Sequence, residues 1–103
     1  MRGDVHELKT LRDARGHEQR GNRYAVVVQS DLLPLSTLLV APTSTSARPT
    51  SFRPEIEIDG KTTYVLAEQT AAVQPERLGR VVGHLSHREM TAVDTALRTV
   101  LDL

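Results

Sequence analysis

The sequence predicts a small, mostly β barrel of α+β class with one C-terminal α-helix. Three observations carry that expectation. Residues 24 to 28, Tyr-Ala-Val-Val-Val, are a largely β-branched run without alternation, the pattern of a strand buried on both faces. Asp59-Gly60 separates two extended-type segments and is among the strongest two-residue hairpin signals. Residues 86 to 101 carry an apolar stripe at helical spacing, Met90, Val93, Ala96, Leu97 and Val100.

Taken in order, residues 2 to 8 read as a short opening strand and residues 9 to 23 as a long polar loop. A loop of that length in a small domain is usually functional. Residues 24 to 29 form the central strand, and Asp31 to Pro34 turn the chain. Residues 35 to 42 read as a second buried strand that ends at Pro42, because proline cannot donate to a ladder. Residues 43 to 53 are rich in Ser, Thr and Pro and read as an exposed loop. Residues 54 to 58 alternate Glu and Ile, the period of a half-buried strand, and residues 62 to 68 return from the turn. Pro75 starts a single helical turn over residues 74 to 78, and residues 80 to 85 make a last short strand. Ser86 and Glu89 fit a capping box, and Asp94 and Arg98 stand at the favourable i,i+4 spacing.

Composition narrows the function. A length of 103 residues fits one domain, residues 1 to 103, and its thin stability margin favours burial in an oligomer. There are no cysteines, so disulfides and thiolate metal sites are excluded. No apolar run approaches the roughly 18 residues of a membrane span and no signal peptide is visible, so a cytoplasmic protein without a membrane partner is expected. Thirteen basic residues balance thirteen acidic ones, which argues against a generic nucleic-acid coat. Local basic clusters remain: Arg12, Arg15, Arg20 and Arg23 in one loop, Arg48 and Arg53 in another. Three aromatics are too few for a stacking platform of the single-strand-binding type. The four histidines show no metal-binding spacing, and neither metal nor cofactor is expected.

The segment Gly16-His17-Glu18-Gln19-x-Gly21-x-Arg23, followed by an apolar strand and Gln29-Ser30-Asp31, resembles the MazF/PemK family of toxin endoribonucleases. Arg2-Gly3-Asp4-Val5 is similar to that family's opening strand, Val40-Ala41-Pro42-Thr43-Ser44 to its threonine motif, and Glu68-Gln69 to its acidic-Gln pair. Tyr24 stands where the family usually has proline, and His6 where it has an aromatic. The resemblance implies an SH3-like, PemK/CcdB-type barrel that dimerises and whose loops surround a groove. It also implies sequence-specific cleavage of single-stranded RNA and a MazE-like antitoxin whose acidic tail fills that groove.

RNA can be cut without a metal, because its own 2′-OH attacks the adjacent phosphate to give a 2′,3′-cyclic phosphate and a 5′-OH end. The protein then supplies a base, an acid and donors for the phosphoryl charge. The resemblance assigns Arg23 to that charge: a guanidinium grips phosphate with two hydrogen bonds and stays protonated. It assigns Thr43 to a non-bridging oxygen, with Ser44 assisting. His17, whose ordinary pKa is about 6.5, is the preferred base, with Glu18 and Glu68 as alternatives. Gln19, Arg15, Arg20, Arg48, Arg53 and Glu68 are candidate RNA contacts or groove-lining residues, since unpaired RNA exposes its base edges. Messenger, transfer and ribosomal RNA all remain open as substrates. Two alternatives compete. A non-enzymatic toxin of the same fold, of the gyrase-poisoning kind, needs no phosphate site. An SH3-like peptide-binding module needs an aromatic groove that this sequence lacks.

Overall fold

The computed structural model describes residues 1–9 and 23–103. Among these residues, seven strands and one α-helix follow in the order β1 (Asp4–Leu8), β2 (Tyr24–Val27), β3 (Leu38–Ser44), β4 (Glu55–Ile58), β5 (Lys61–Val65), β6 (Ala71–Val73), β7 (Leu78–His84) and α1 (His87–Leu101). Short 3-10 turns at Ala67–Gln69 and Pro75–Arg77 flank β6. The strands form one curled sheet in the order β4-β5-β3-β2-β1-β7, with β6 also paired to β3 and every pair antiparallel.

The central strand is buried on both faces, as its composition predicts. Val26 and Val28 face a core shared with Val5, Ala41, Ile56, Ile58, Val65, Leu85 and the helix residue Val93. Ala25 and Val27 point the other way and pack with Val40, Leu38 and Val73. Strand alternation does this: adjacent residues serve opposite faces, so a doubly covered strand must be apolar throughout.

The second strand differs from its expected course. It starts at Leu38 rather than at residue 35 and runs through Pro42 to Ser44. Leu35 is exposed, as are Leu32 and Leu33. Buried Gln29 holds the intervening turn: its side chain donates to the Leu33 carbonyl and accepts from the Leu39 N–H. Pro42 is tolerated because of where it lies. Val28 N–H donates to the Leu39 carbonyl, so by antiparallel alternation Pro42 and Ala25 form a pair that exchanges no hydrogen bonds. On its other side β3 changes partner at this point, from β6 at residues 38–40 to β5 at residues 43–44. The Pro42 carbonyl accepts from Leu66 N–H across that junction.

Three further boundaries move. The return strand ends at Val65, and residues 67–69 form a 3-10 turn instead of continuing it. Strand β6 falls in a segment, Ala-Ala-Val, with no pattern of its own. Strand β7 starts two residues early, and two register irregularities against β1 bend it. The hairpin turn matches its sequence signal. Asp59 and Gly60 both have positive φ, 51° and 78°, and Ile58 pairs with Lys61 across them, the geometry of a type I′ turn.

The helix begins as expected. The Ser86 hydroxyl accepts from Glu89 N–H, and the Glu89 carboxylate accepts from Ser86 N–H. Glu89 also accepts from Glu57 N–H, tying the helix start to β4. Val93 and Ala96 are buried, with Met90 and Leu97 packed beside them, while Val100 is partly exposed. Asp94 takes Arg2 at 2.7 Å rather than Arg98, because Arg2 is held over the sheet by bonds to the Val28 carbonyl and Asp31. A partly buried guanidinium held at two points, by the Val28 carbonyl and Asp94, on a backbone that Asp31 fixes, offers better geometry than a solvated i,i+4 neighbour.

Candidate active site

Where β2 begins and β3 ends, the sheet opens into a cavity of about 950 Å³. Arg23 and Tyr24 line one part of it, Thr43 to Ser46 another, and Ile58, Asp59, Lys61 and Thr63 of the β4–β5 hairpin a third, with Leu66 and Gln69 completing it. Arg23 is exposed at the strand entry, one residue before a fully buried segment. Its backbone is therefore fixed by the core while its head faces the cavity, and its carbonyl accepts from Leu8 N–H. Tyr24 is half buried and belongs to both the main core and the cavity wall.

Thr43 lies inside β3, not beyond its end, and is 7% exposed. Its hydroxyl donates to the Tyr24 carbonyl at 3.2 Å. That bond ties the cavity end of β3 to the peptide next to Arg23, and it leaves the oxygen's acceptor capacity to the cavity. Ser44 is held locally: its hydroxyl oxygen accepts from Ser46 N–H at 3.2 Å and lies 3.4 Å from the Ser46 hydroxyl. The cavity thus combines a guanidinium, a row of hydroxyls and an ammonium, with one carboxylate at Asp59. Such a lining suits a phosphodiester or another polar anion better than an apolar ligand.

The whole chain but its last two residues, 1–101, matches the family described as PemK-like, MazF-like toxin of type II toxin-antitoxin system. The chain belongs to this family. A candidate toxin of Mycobacterium tuberculosis, Rv3098A, is 40% identical over 104 residues, spanning all of this chain and 98% of the relative. The MazF-like fold is equally clear. An endoribonuclease from a mycobacterial species, solved in complex with its cognate antitoxin, superposes with a TM-score of 0.81 at 21% identity, covering all of this chain and 95% of that one. The Mycobacterium tuberculosis toxin MazF-mt6 gives 0.77 at 18% identity over 97% of each chain. MazF from Deinococcus radiodurans gives 0.77 at 21% identity over 99% of this chain and 96% of that one.

The sequence-derived site residues of this MazF-like toxin divide into three groups. Arg23, Thr43 and Ser44 meet in the cavity. Arg15, His17, Glu18, Gln19 and Arg20 lie outside the described residues. Arg48, Arg53 and Glu68 do not line the cavity. Arg53 and Glu68, both expected at the RNA surface, are bonded to each other: Nη2 and Nε of Arg53 donate to Glu68 Oε2 at 2.6 and 3.1 Å. Arg53 also donates to the Arg48 carbonyl at 3.3 Å and lies 5.6 Å from the Phe52 ring centre. The basic patch expected around Arg48 and Arg53 is thus partly neutralised, because an acid distant in sequence reaches it through the 3-10 turn. Lys61 and Thr63 line the cavity without belonging to any motif in the sequence, and of the Glu68-Gln69 pair it is the exposed Gln69 that reaches it. The usable signal was the Asp59-Gly60 turn itself, which fixes where the residue after it must point.

The hydrogen bonds from Arg53 hold the Glu68 carboxyl below the usual range, against an opposing push from burial, and hold the Arg53 guanidinium above its own. At Asp4, burial pushes the carboxyl up, but bonds from His84 at 2.7 Å and the N-terminal ammonium outweigh it and leave it lowered. A carboxylate lowered in the folded state adds stability above its unfolded pKa, about 4 for these groups, and loses it as pH falls through the folded value. Thermal unfolding of the toxin is therefore expected to show a falling Tm on acidification below about pH 4.5. Glu68→Gln is expected to shallow that fall, and an unchanged slope would show that the pair contributes nothing to acid stability.

Proposed function

We propose that the chain is a ribonuclease toxin that cleaves single-stranded RNA sequence-specifically, without a metal, by attack of the substrate's own 2′-OH. The carrying observation is that Arg23 and Thr43 line the same polar cavity. In the reaction, a base takes the 2′-OH proton, the 2′ oxygen bonds to phosphorus, and the bond to the 5′ oxygen breaks as that oxygen gains a proton. Arg23 holds the charge that gathers on the non-bridging oxygens. Thr43, through its bond to the Tyr24 carbonyl, holds the backbone of the residue after Arg23 and turns its hydroxyl to phosphate when that bond is released. His17 is the preferred base and Glu18 the second choice. Glu68 is poorly suited, since Arg53 occupies it and favours its charged form over proton uptake. The half-buried Tyr24 ring offers a surface on which a base can stack.

The same reading gives the toxin a MazE-like antitoxin that covers the cavity, and a homodimeric state. Exposed leucines at 32, 33 and 35 support a surface covered by protein, Leu32 being 87% exposed. The fold relative solved with its antitoxin supports the same partnership. The test is cleavage of end-labelled RNA in excess EDTA. Expected products carry a 2′,3′-cyclic phosphate and a 5′-OH. Intact messenger, transfer and ribosomal RNA after incubation with folded protein would sink the reading.

A further inference from the structure

The β4–β5 hairpin brings a second cation to the cavity, and the family motif does not account for it. We propose that Lys61 holds a phosphate flanking the scissile one, making the hairpin a second substrate subsite. This rests on the ribonuclease reading and extends it to substrate length.

Lys61 opens β5 and lines the cavity together with Arg23. Among the described residues no carboxylate lies within ion-pair distance of it. Asp59 shares the cavity wall but forms no ion pair with it. The backbone that carries the ammonium is well determined. The turn before it has two positive-φ residues, and an L side chain at Gly60 would be strained. Its cross-turn partner Ile58 is 6% exposed and Thr63 is 3% exposed, so core and cavity floor fix the strand on both sides of Lys61. A cation on a rigid strand end beside a cavity is the arrangement that also presents Arg23.

The sheet register sets the spacing. Thr43 faces Val65 and Ser44 faces Tyr64 on one side, and continuing the β2–β3 register sets Arg23 beside Ser44 on the other. Lys61 is then two strand widths across and three residues along from Arg23, a backbone separation of roughly 14 Å on a flat sheet and less on a curled one; the odd offset would set them on opposite faces of a flat ladder, and they share a site because both border the cavity at the sheet's end. Two long side chains at that separation fit neighbouring phosphates of one strand better than a single phosphate gripped twice. Between them, Thr43 to Ser46 and Gln69 face the intervening nucleotide. The subsite takes a polyanionic strand; the ammonium itself reads no base.

The experiment compares Lys61→Gln and Lys61→Arg with the unmodified protein on two substrates. One is a dinucleotide whose only phosphate is the scissile one, the other an oligomer with flanking phosphates. With the oligomer, Lys61→Gln is expected to raise KM roughly fivefold at low salt with kcat unchanged, and Lys61→Arg to restore it. With the dinucleotide, no variant is expected to change kcat/KM. Loss of one single-strand contact flattens the salt dependence by about 0.7, so the oligomer penalty at about 50 mM salt should be about 2.6 times that at about 200 mM. Equal effects on both substrates, or none on either, overturn the subsite while leaving the ribonuclease reading intact. If no RNA is cleaved at all, that reading fails. Binding of a 2′-O-methyl oligomer, which cannot react, then decides Lys61 separately by the same salt slope, and an unchanged slope overturns it.

Discussion

Arg23→Ala is expected to lower kcat for RNA cleavage by roughly 10²–10³-fold, the usual loss when one donor to a developing oxyanion is removed. The transition state gathers negative charge on phosphoryl oxygens, and a guanidinium supplies two parallel charged hydrogen bonds to them. Arg23 also delivers them from a strand entry that is fully buried from Ala25 onward, so little reorganisation is needed. Arg23→Lys keeps the charge and loses the fork, so an intermediate rate is expected. Because the side chain is exposed, the folding free energy should change by no more than about 0.5 kcal/mol. The measurement pairs single-turnover cleavage with thermal unfolding of each variant. Cleavage within a few-fold of the unmodified protein would remove Arg23 from the site. A large fall in Tm would reassign the loss to folding.

Ile56→Ala is expected to destabilise the protein by about 2–5 kcal/mol, the range for removing most of a buried aliphatic side chain. Ile56 is 2% exposed and packs with Val26, Val65 and Val93 between sheet and helix. Domains of this size are stable by about 5–15 kcal/mol, so the loss is a large share and should lower Tm by roughly 10–20 °C. Glu57→Ala, one residue on, points to solvent, and its side-chain loss should change stability by about 0.5 kcal/mol or less. Thermal unfolding of the two variants side by side tests the alternation directly, and equal shifts would contradict it. The consequence reaches the cavity, since Ile56 anchors the hairpin that carries Ile58, Asp59 and Lys61.

Local signals were readable wherever one residue type dictates one local geometry. The Asp59-Gly60 turn, the Ser86–Glu89 capping box and the doubly buried run at residues 24 to 28 each encode their conformation within a few residues, and each appears in the fold. The motif around Arg23 and Thr43 likewise marked two residues that share a cavity. Failures came where a distant partner decides. Pro42 stays in a strand because β3 exchanges one neighbour for another beside it, and nothing near Pro42 in sequence announces that exchange. Strand β6 exists because β3 has an open edge for Ala71–Val73. Asp94 leaves Arg98 for Arg2, and Arg53 is taken up by Glu68, since long-range folding delivers partners with better geometry than local spacing offers.

By itself, then, the sequence determined the strand, turn and helix types, the family motif and the arginine at the strand entry, because these depend on neighbours within one turn or one hairpin. Tertiary structure alone decided which cations reach the cavity. Arg53 lost its place at the candidate site to an ion pair, and Lys61 gained one through a two-residue turn. The physical reason is that a charge's role depends on the nearest opposite charge in space, and folding sets that distance.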